Sequence, residues 1–564
     1  MKGSVQLFVL AGFIFLGAGG LAPGQVAINV SPALPSDIAG GAPNATLQQA
    51  ASFAWQEFIA LNWPAMAGQR DVADPVQKFG ASTGPGPLVW QTFRGKVEIF
   101  NFTKDAAGEL APPGYSATAP DLGYNTPPAY FYETQSVPAC PGQDAPASPA
   151  WINVDETTQI GLDQMFAGGP AIQDSVNTAP QLIRFAAKAN HVEYGYVAQN
   201  QYFLPDKLKL PAMNNQNAYN YTKNMPPVAP TPPFISFMPG TIEIKSAWRP
   251  LNANDNPMRF HVQTVRFYEE KGPKNAPCYF EQNWGLIALH IIQKTPSAPA
   301  FIYATFEQAD NIRQPNATPV EDPDGNVIQP ITPPVAPTTP ALAYEDSTAP
   351  KVTVTPEGTS FCTPQNNLYF KDNPNFAGLT GGGAICINQR YGPIPSDVIA
   401  VNLAAHVAIT SYDTANGIEN SPWLYYKLVS VQAAPFDVST ISPTDPIHGP
   451  AAFFQANIVV ETDYTLQRFQ GNFANSLAPT ALGIPPANVF IPTANPPPGL
   501  VGVNMGGCMG CHGSGAQVSG GTDFSFILAE VSGGDGTGST PSPDKVSAFA
   551  DAAVPDRYLD LFRR

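Results

Sequence analysis

The sequence predicts a mostly β protein with helical additions, an α+β fold in which a small C-terminal segment docks on a large antiparallel-sheet body. Strand-like runs follow one another between Pro/Gly clusters without helices between them, which is typical of antiparallel sheet. The chain has 564 residues, of which 11% are aromatic, enough for a large packed core. Pro (62) and Gly (48) are frequent but follow no repeat, so we expect long ordered loops between short elements.

The elements are predicted in chain order from their periodicity. Thr46 to Leu61 should form a helix, because apolar residues recur at helical spacing behind a threonine that can cap it. Gln181 to Tyr196 is also predicted to be helical. Four later runs should pair as antiparallel strands: residues 241–248, 259–268, 285–293 and 300–307.

Two charged residues of the first of these strands stand two positions apart. Glu243 and Lys245 therefore share one face of the strand. They could form a buried functional pair or a solvent-exposed ladder of charges. We expect the ladder, because charged residues are rarely fully buried.

The N-terminus has the pattern of a signal peptide. Lys2 precedes a compact apolar run at residues 5–18, which is too short to span a membrane. Small residues then allow cleavage after Ala22 or Ala27, so residues 1–27 are predicted to be removed on export. We expect a periplasmic or secreted bacterial protein with no membrane span in the mature chain.

The mature chain divides into three predicted parts. Residues 28–475 form the β-rich body, with a helical N-terminal part and a Pro/Thr-rich loop at 316–350. Residues 476–500 are rich in proline and are predicted to be a stiff connector. Residues 501–564 form the C-terminal segment, which holds the most informative motif of the chain.

That motif is the run Cys-Met-Gly-Cys-His at residues 508–512. Cys-x-x-Cys-His is the attachment signature of c-type haem. Cys508 and Cys511 would add to the haem vinyl groups as thioethers, and His512 would ligate the iron from the proximal side. The motif occurs once, so we expect one covalent haem c with its iron.

Two other kinds of site use a Cys-x-x-Cys pair. A structural zinc site needs two further ligands, and none lies within about fifty residues of the motif other than His512. A redox dithiol would stand at a strand-to-helix junction of a βαβ unit, whereas glycine-rich stretches flank this motif on both sides. Haem attachment is therefore the favoured interpretation.

The second axial ligand of such a haem is not evident from the motif. No methionine or histidine follows His512, so either the body supplies the ligand or the iron keeps an open site. His290 is our first candidate, because it lies on a predicted strand face among apolar residues. A histidine satisfied in the core would show the same pattern. The other upstream candidates are His191, His261, His406, His448 and Met505.

The four remaining cysteines fit an oxidising compartment. Three pairings are open to them, and we predict Cys140–Cys278 and Cys362–Cys386. The second pair is the closest in sequence. Four buried thiols are the alternative.

Composition also limits the partners. Charged residues make up only 13% of the chain, and the formal net charge is −16. A chain this acidic is a poor ligand for nucleic acid or an anionic membrane, and it favours a redox partner protein with a basic surface. Composition does not indicate an oligomeric state.

Three segments together resemble a group of large, secreted, bacterial c-type proteins with a single haem, a β-rich body and a C-terminal haem motif. They are residues 284–295 (WGLIALHIIQKT), residues 301–307 (FIYATFE) and the haem motif itself. The resemblance implies haem binding through Cys508, Cys511 and His512, and a redox function. It implies no substrate.

Three functions are consistent with these observations. The first is electron transfer through one covalently attached haem with a filled sixth site. The second is a haem peroxidase or oxygenase-like enzyme, which would need an open distal site and an acid–base group within reach. The third is a secreted binding protein in which haem is a structural element.

Overall fold

The structure is a computed structural model, and it describes a large part of the chain. The described ranges are residues 27–81, 86–100, 103–104, 108, 110–130, 137–154, 165–168, 181–222, 232–269, 271–314, 316–328, 354–356, 368–371, 384–387, 394–419, 421–435, 457–460, 488–492, 500–504 and 507–528. Several predictions lie outside these ranges wholly or in part: the signal peptide, the Cys362–Cys386 disulfide, the loop at 316–350 beyond residue 328, the connector at 476–500 apart from residues 488–492 and 500, and the C-terminal segment beyond residue 528.

Helices and strands alternate irregularly along the described ranges. The helices are α1 (Leu47–Leu61), α2 (Lys96–Ile99), α3 (His191–Asn200), α4 (Pro205–Thr222), α5 (Ser396–Asn416) and α6 (Gly507–His512), which continues as a π-helical stretch at Gly513–Gly520. Short 3-10 turns lie at Ala42–Asn44, Trp90–Thr92, Pro257–Arg259, Pro273–Asn275 and Pro422–Tyr425. The strands are β1 (Arg94–Gly95), β2 (Thr103–Lys104), β3 (Leu110–Ala111), β4 (Ile152–Asn153), β5 (Met165–Phe166), β6 (Arg184–Ala189), β7 (Ile242–Arg249), β8 (Val262–Glu269), β9 (Cys278–Thr295), β10 (Ala298–Gln308), β11 (Val354–Pro356), β12 (Tyr369–Lys371), β13 (Ala384–Ile387), β14 (Tyr426–Gln432), β15 (Asn488–Pro492) and β16 (Leu500–Asn504).

An eight-stranded sheet forms the centre of the described fold. Its main order is β1-β6-β7-β9-β10-β14, and each neighbouring pair in this order is antiparallel. The first half of β9 pairs with β8, and β4 adds to β8 as a parallel strand. The predicted α+β fold with a large antiparallel sheet is therefore confirmed.

The predicted disulfide between Cys140 and Cys278 is present. It joins the loop at 137–150 to the start of β9. β15 lies within the predicted Pro-rich connector and pairs in a separate two-stranded sheet with β16, which begins at the last residue of that connector. Among the helices that the structure describes, none is both long and apolar enough to cross a membrane.

Helices α1 and α5 cover one side of the sheet, which we call the helix face. It carries the buried side chains of Ile244, Leu289, Ile291, Phe306 and Leu428. The predicted helix after Thr46 is confirmed, with a capping box in which Thr46 and Gln49 each accept a hydrogen bond from the other's backbone N–H. Its apolar side packs on β14 and on α5.

The opposite side of the sheet is the site face. Cross-strand partners point to the same side, so β7, β9 and β10 together present Glu243, Lys245, His290, Ile292, Tyr303 and Thr305 there. Buried side chains of α3, α4 and the C-terminal segment pack against Ile292 and Tyr303 in one apolar cluster. The site face is thus where the C-terminal segment docks on the sheet.

The prediction of a helix from Gln181 to Tyr196 is wrong in its first half. That half forms β6, and the helix begins only after Asn190, whose side chain caps α3. The physical reason lies in Lys188, which is buried and donates to two backbone carbonyls at 2.8 and 2.9 Å. These long-range contacts, together with pairing to β1 and β7, override the local helical preference.

Candidate functional site

The Cys-x-x-Cys-His run forms α6, which contacts β10 and β14. Met509 is fully buried there, and its backbone N–H donates to Gln432 Oε1 at 3.1 Å. Cys508 and His512 are four residues apart in the helix, so they stand on the same side of it. Cys508 is half-buried against the apolar cluster of the site face, and the Cys511 side chain lies outside the described part of the structure.

His512 is held in a defined orientation. Its Nδ1 lies 2.8 Å from the backbone oxygen of Phe524. Because a carbonyl only accepts, Nδ1 must carry the proton, and the Nε2 lone pair of the neutral ring is left for a metal. Burial lowers the pKa of His512 to about 4, and nearby Lys245 acts in the same direction, so the ring is neutral at pH 7.

Two aromatic rings flank this imidazole. The Tyr303 ring on β10 and the Phe526 ring each lie 4.7 Å from it, measured between centroids. Tyr303 comes from the body and Phe526 from the C-terminal segment. The His512 ring therefore stands between the two parts of the chain.

His290 stands on β9 between Lys245 on β7 and Thr305 on β10, its cross-strand partners. Burial, with Lys245 and His512 acting in the same direction, lowers the pKa of His290 to about 3. Residues 290 and 512 are thus near enough for the protonation of one ring to disfavour that of the other. Both rings are neutral at pH 7, which is the form that ligates metals.

The other described histidines lie elsewhere. His261 stacks on Trp423 of the helix-face cluster, with ring centroids 5.1 Å apart, and bonds to Gln91 at 2.8 Å. His406 on α5 lies 2.5 Å from Asp324 and 2.9 Å from a carbonyl of β14. His191 pairs with Asp71 at the start of α3. His448 and Met505 lie outside the described residues. Of the upstream candidates that the structure describes, only His290 comes near His512.

The expectation that Glu243 and Lys245 form a solvent-exposed ladder is wrong for Glu243. Its side chain is buried under α3, and only 5% of the residue is exposed. Burial raises the pKa of Glu243 to about 7. Lys245 is half-buried on the same face and acts on both imidazoles. The site face therefore carries one buried and one half-buried ionisable group at positions that we had expected to face solvent.

An ion pair fastens the C-terminal segment to the sheet. Lys294 Nζ on β9 lies 2.6 Å from Asp523 Oδ2, and both side chains are buried. The same oxygen accepts the backbone N–H of Phe237 at 2.6 Å, and Asn215 on α4 donates to the carbonyl of Gly521 at 2.9 Å. Sequence reasoning missed these contacts, because nothing in the local pattern links positions so far apart.

Neither a scan against protein-family models nor searches of curated proteins and of solved structures found a match to this chain. Among the residues that the structure describes, no three His, Cys, Asp or Glu side chains form a cluster suited to a metal ion. The functional argument therefore depends on the residues of the site face themselves.

Proposed function

We propose that this protein is an exported electron-transfer protein with one covalently attached haem c. Cys508 and Cys511 would hold the haem through thioether links, and His512 would ligate its iron. His290 would supply the second protein ligand. When bound, the haem supplies a one-electron couple between ferric and ferrous iron.

The observation that carries the proposal is the hydrogen bond from His512 Nδ1 to the Phe524 carbonyl. Metal-ligating histidines usually donate their second ring nitrogen to a carbonyl or carboxylate, which fixes the ring and makes Nε2 the donor to the metal. Here this arrangement occurs in the histidine that follows the Cys-x-x-Cys pair. The donor set fits haem c, because a thiol stands on the same side of α6 as an oriented, neutral imidazole.

The assignment of His290 is supported by its place on the site face. The body supplies one described histidine to the neighbourhood of His512, and that residue is kept neutral by burial. Its β9 backbone is paired on both sides, by β7 and β10, which gives the imidazole a rigid support. A rigid ligand lowers the reorganisation that accompanies a change of iron oxidation state, which suits electron transfer.

Export and a basic partner belong to the same proposal. The Cys140–Cys278 disulfide fits an oxidising compartment, as a periplasmic or secreted protein would meet. The net charge of −16 would steer a basic redox protein toward the surface, and this association should weaken as ionic strength rises.

The test is an optical titration of the mature protein, expressed with haem-maturation machinery. We expect a low-spin reduced spectrum that carbon monoxide does not shift. His290→Ala should open the sixth site, so that the reduced protein becomes high-spin and binds carbon monoxide. His261→Ala is the matched control, because burial also lowers the pKa of His261, to about 4, while its ring stacks on Trp423 at the helix face.

Three outcomes would contradict parts of the proposal. Carbon monoxide binding by the unmodified protein would favour the enzyme with an open site. An unchanged spectrum in His290→Ala would remove His290 as ligand while leaving the haem. A mature protein without covalent haem by mass spectrometry would refute the proposal as a whole.

A further inference from the structure

Two buried glutamates meet beside the docked C-terminal segment. Glu193, in the first turn of α3, is fully buried, and Glu243 on β7 is 5% exposed. Their carboxyl groups lie within hydrogen-bonding reach of each other. Two ionised carboxylates only accept, so this hydrogen bond requires a proton on one of them.

The charges around the pair come from every element that packs on it. Asp523 of the C-terminal segment faces both glutamates, but it is already bonded to Lys294. Lys245, two positions along β7, is the cation that acts on Glu243. Burial raises the pKa of Glu193 well above its usual value, and the Glu243 carboxyl raises it further. The pair therefore holds a proton near neutral pH and can exchange it there.

The pair is also connected to the proximal histidine. Ser525 Oγ lies 3.5 Å from Glu193 Oε1 and within hydrogen-bonding reach of Glu243. Ser525 directly follows Phe524, whose carbonyl holds His512 Nδ1. One peptide unit thus separates the hydroxyl that contacts the pair from the oxygen that orients the imidazole. On the sheet, Lys245 acts both on Glu243 and on His512.

We propose that the Glu193–Glu243 pair takes up a proton from solvent when the neighbouring site accepts an electron. This inference rests on the proposed function. An external one-electron donor protein, or dithionite in the test tube, supplies the electron, and hydronium in the solvent supplies the proton. One O–H bond of hydronium breaks, leaving water, and one O–H bond forms on a carboxylate, so the added proton balances the added negative charge.

The physical reason is charge compensation in a buried site. An electron added near the pair makes the local potential more negative, which favours the protonated carboxyl. By linkage, raising the pH then weakens electron binding. One proton per electron changes the reduction equilibrium tenfold per pH unit, which for a one-electron couple is 59 mV. We expect a slope that is a clear fraction of this limit between pH 6 and 8.

The experiment is a redox titration of the holoprotein at several pH values. The midpoint potential should fall as pH rises in the unmodified protein, and the slope should flatten in Glu193→Gln/Glu243→Gln. The matched control is Glu57→Gln. Glu57 is also fully buried with a raised pKa, but it lies in α1, which covers the helix face. Its variant should keep the full slope.

A second measurement needs no variant. The infrared difference spectrum between the reduced and oxidised holoprotein should show a gained carboxylic-acid C=O band, which shifts in heavy water. Absence of that band, or equal slopes in the glutamate variant and the unmodified protein, would overturn the inference while leaving the haem in place. Failure of the proposed function would be seen separately, as a mature chain without covalent haem.

Discussion

The two faces of the central sheet are built from the same strands and differ in what they bury. The helix face is mainly apolar and aromatic, with Glu57 of α1 buried beside it, and its buried Asn402 is fully bonded, to Trp55 Nε1 at 2.7 Å and to the backbone of β14. The site face buries ionisable groups such as Glu243 and His290 next to the C-terminal segment. Since side chains alternate along a strand, β9 can pack against the helices with one set of side chains and present ionisable groups to the C-terminal segment with the other.

The largest expected effect is the loss of stability caused by a cavity on the helix face. It tests whether the two faces of the sheet are independent. Phe58 on α1 is fully buried and stacks on Phe306 of β10, with ring centroids 4.3 Å apart. Phe58→Ala removes this contact and leaves a void, so we expect the free energy of unfolding to fall by about 3–5 kcal/mol. Denaturant titration followed by circular dichroism would measure it.

The comparison predicts that this loss leaves the site face intact. In the folded Phe58→Ala protein, the optical spectrum of the proposed haem should match that of the unmodified protein. Phe58→Leu, which keeps most of the volume, should lose much less stability. A spectrum altered by Phe58→Ala would mean that the two faces are coupled through the sheet.

The next effect is the pH dependence that the buried glutamates give to stability. Burial raises the pKa of Glu243 from 4.5 to about 7 in the folded chain, and that of Glu193 rises as well. Between pH 4.5 and 7 the folded protein binds more protons than the unfolded chain. The stabilisation that this proton uptake contributes is therefore complete below pH 4.5 and is lost as pH rises through 7. The contribution of Glu243 is roughly 3 kcal/mol over this window.

Denaturant titrations at pH 5, 6 and 7 would test this, comparing the unmodified protein with Glu193→Gln/Glu243→Gln. The difference between the two proteins is the relevant quantity, because it removes the contributions of the other titrating groups, which both proteins share. A difference that stays constant over this pH range would show that the pair does not titrate in the folded state.

Sequence reasoning succeeded where the signal is local. The capping box of α1 lies within four residues, and the alternation that predicted β7 and β8 needs only neighbouring positions. Alternation also placed His290 on one face of β9. The predicted strand at 285–293 is in fact longer, because residues from Cys278 onward pair with β8, a partner that no local pattern reveals.

The site could be predicted only as far as its covalent motif. The Phe524 carbonyl that orients His512 is a backbone atom, for which the residue type carries no information. The Lys294–Asp523 ion pair joins positions 229 residues apart. Glu243 was expected to face solvent because charged residues are rarely fully buried, and a strand pattern does not show which element covers a face.

A smaller effect should follow from the polar contacts of the helix face. Asn402 on α5 accepts the indole N–H of Trp55 and donates to the backbone of β14 at 3.0 Å. Asn402→Ala leaves that buried indole N–H without its partner, which costs about 1–3 kcal/mol. Thermal unfolding would show the loss, and the His512 environment should stay unchanged. Asn402→Asp, which keeps an acceptor for the indole, is the informative control. If it is as stable as the unmodified protein, the acceptor alone accounts for the role of Asn402.

The smallest expected difference is that between two glycine substitutions. One should disturb only the backbone conformation, and the other should also disturb the packing of the C-terminal segment on α4. Gly521 and Gly417 both have left-handed φ angles, of 67° and 65°. A Cβ on Gly521 would lie 2.1 Å from the Ala212 oxygen of α4, whereas one on Gly417 would meet nothing within 4 Å. Gly417→Ala should therefore cost only the left-handed conformation, about 1 kcal/mol. Gly521→Ala should cost about 1–2 kcal/mol more, because the segment must move away from α4.

Hydrogen exchange would show where each loss falls. In Gly521→Ala we expect faster exchange in residues 507–528 and a broader spectrum of the proposed haem, since the Phe524 carbonyl that orients His512 lies in this stretch. In Gly417→Ala the faster exchange should be confined to the end of α5, away from the site face. Equal effects of the two substitutions on residues 507–528 would mean that the contact with α4 does not hold the C-terminal segment. The segment would then be held on the sheet by the Lys294–Asp523 ion pair and by its apolar packing on the site face.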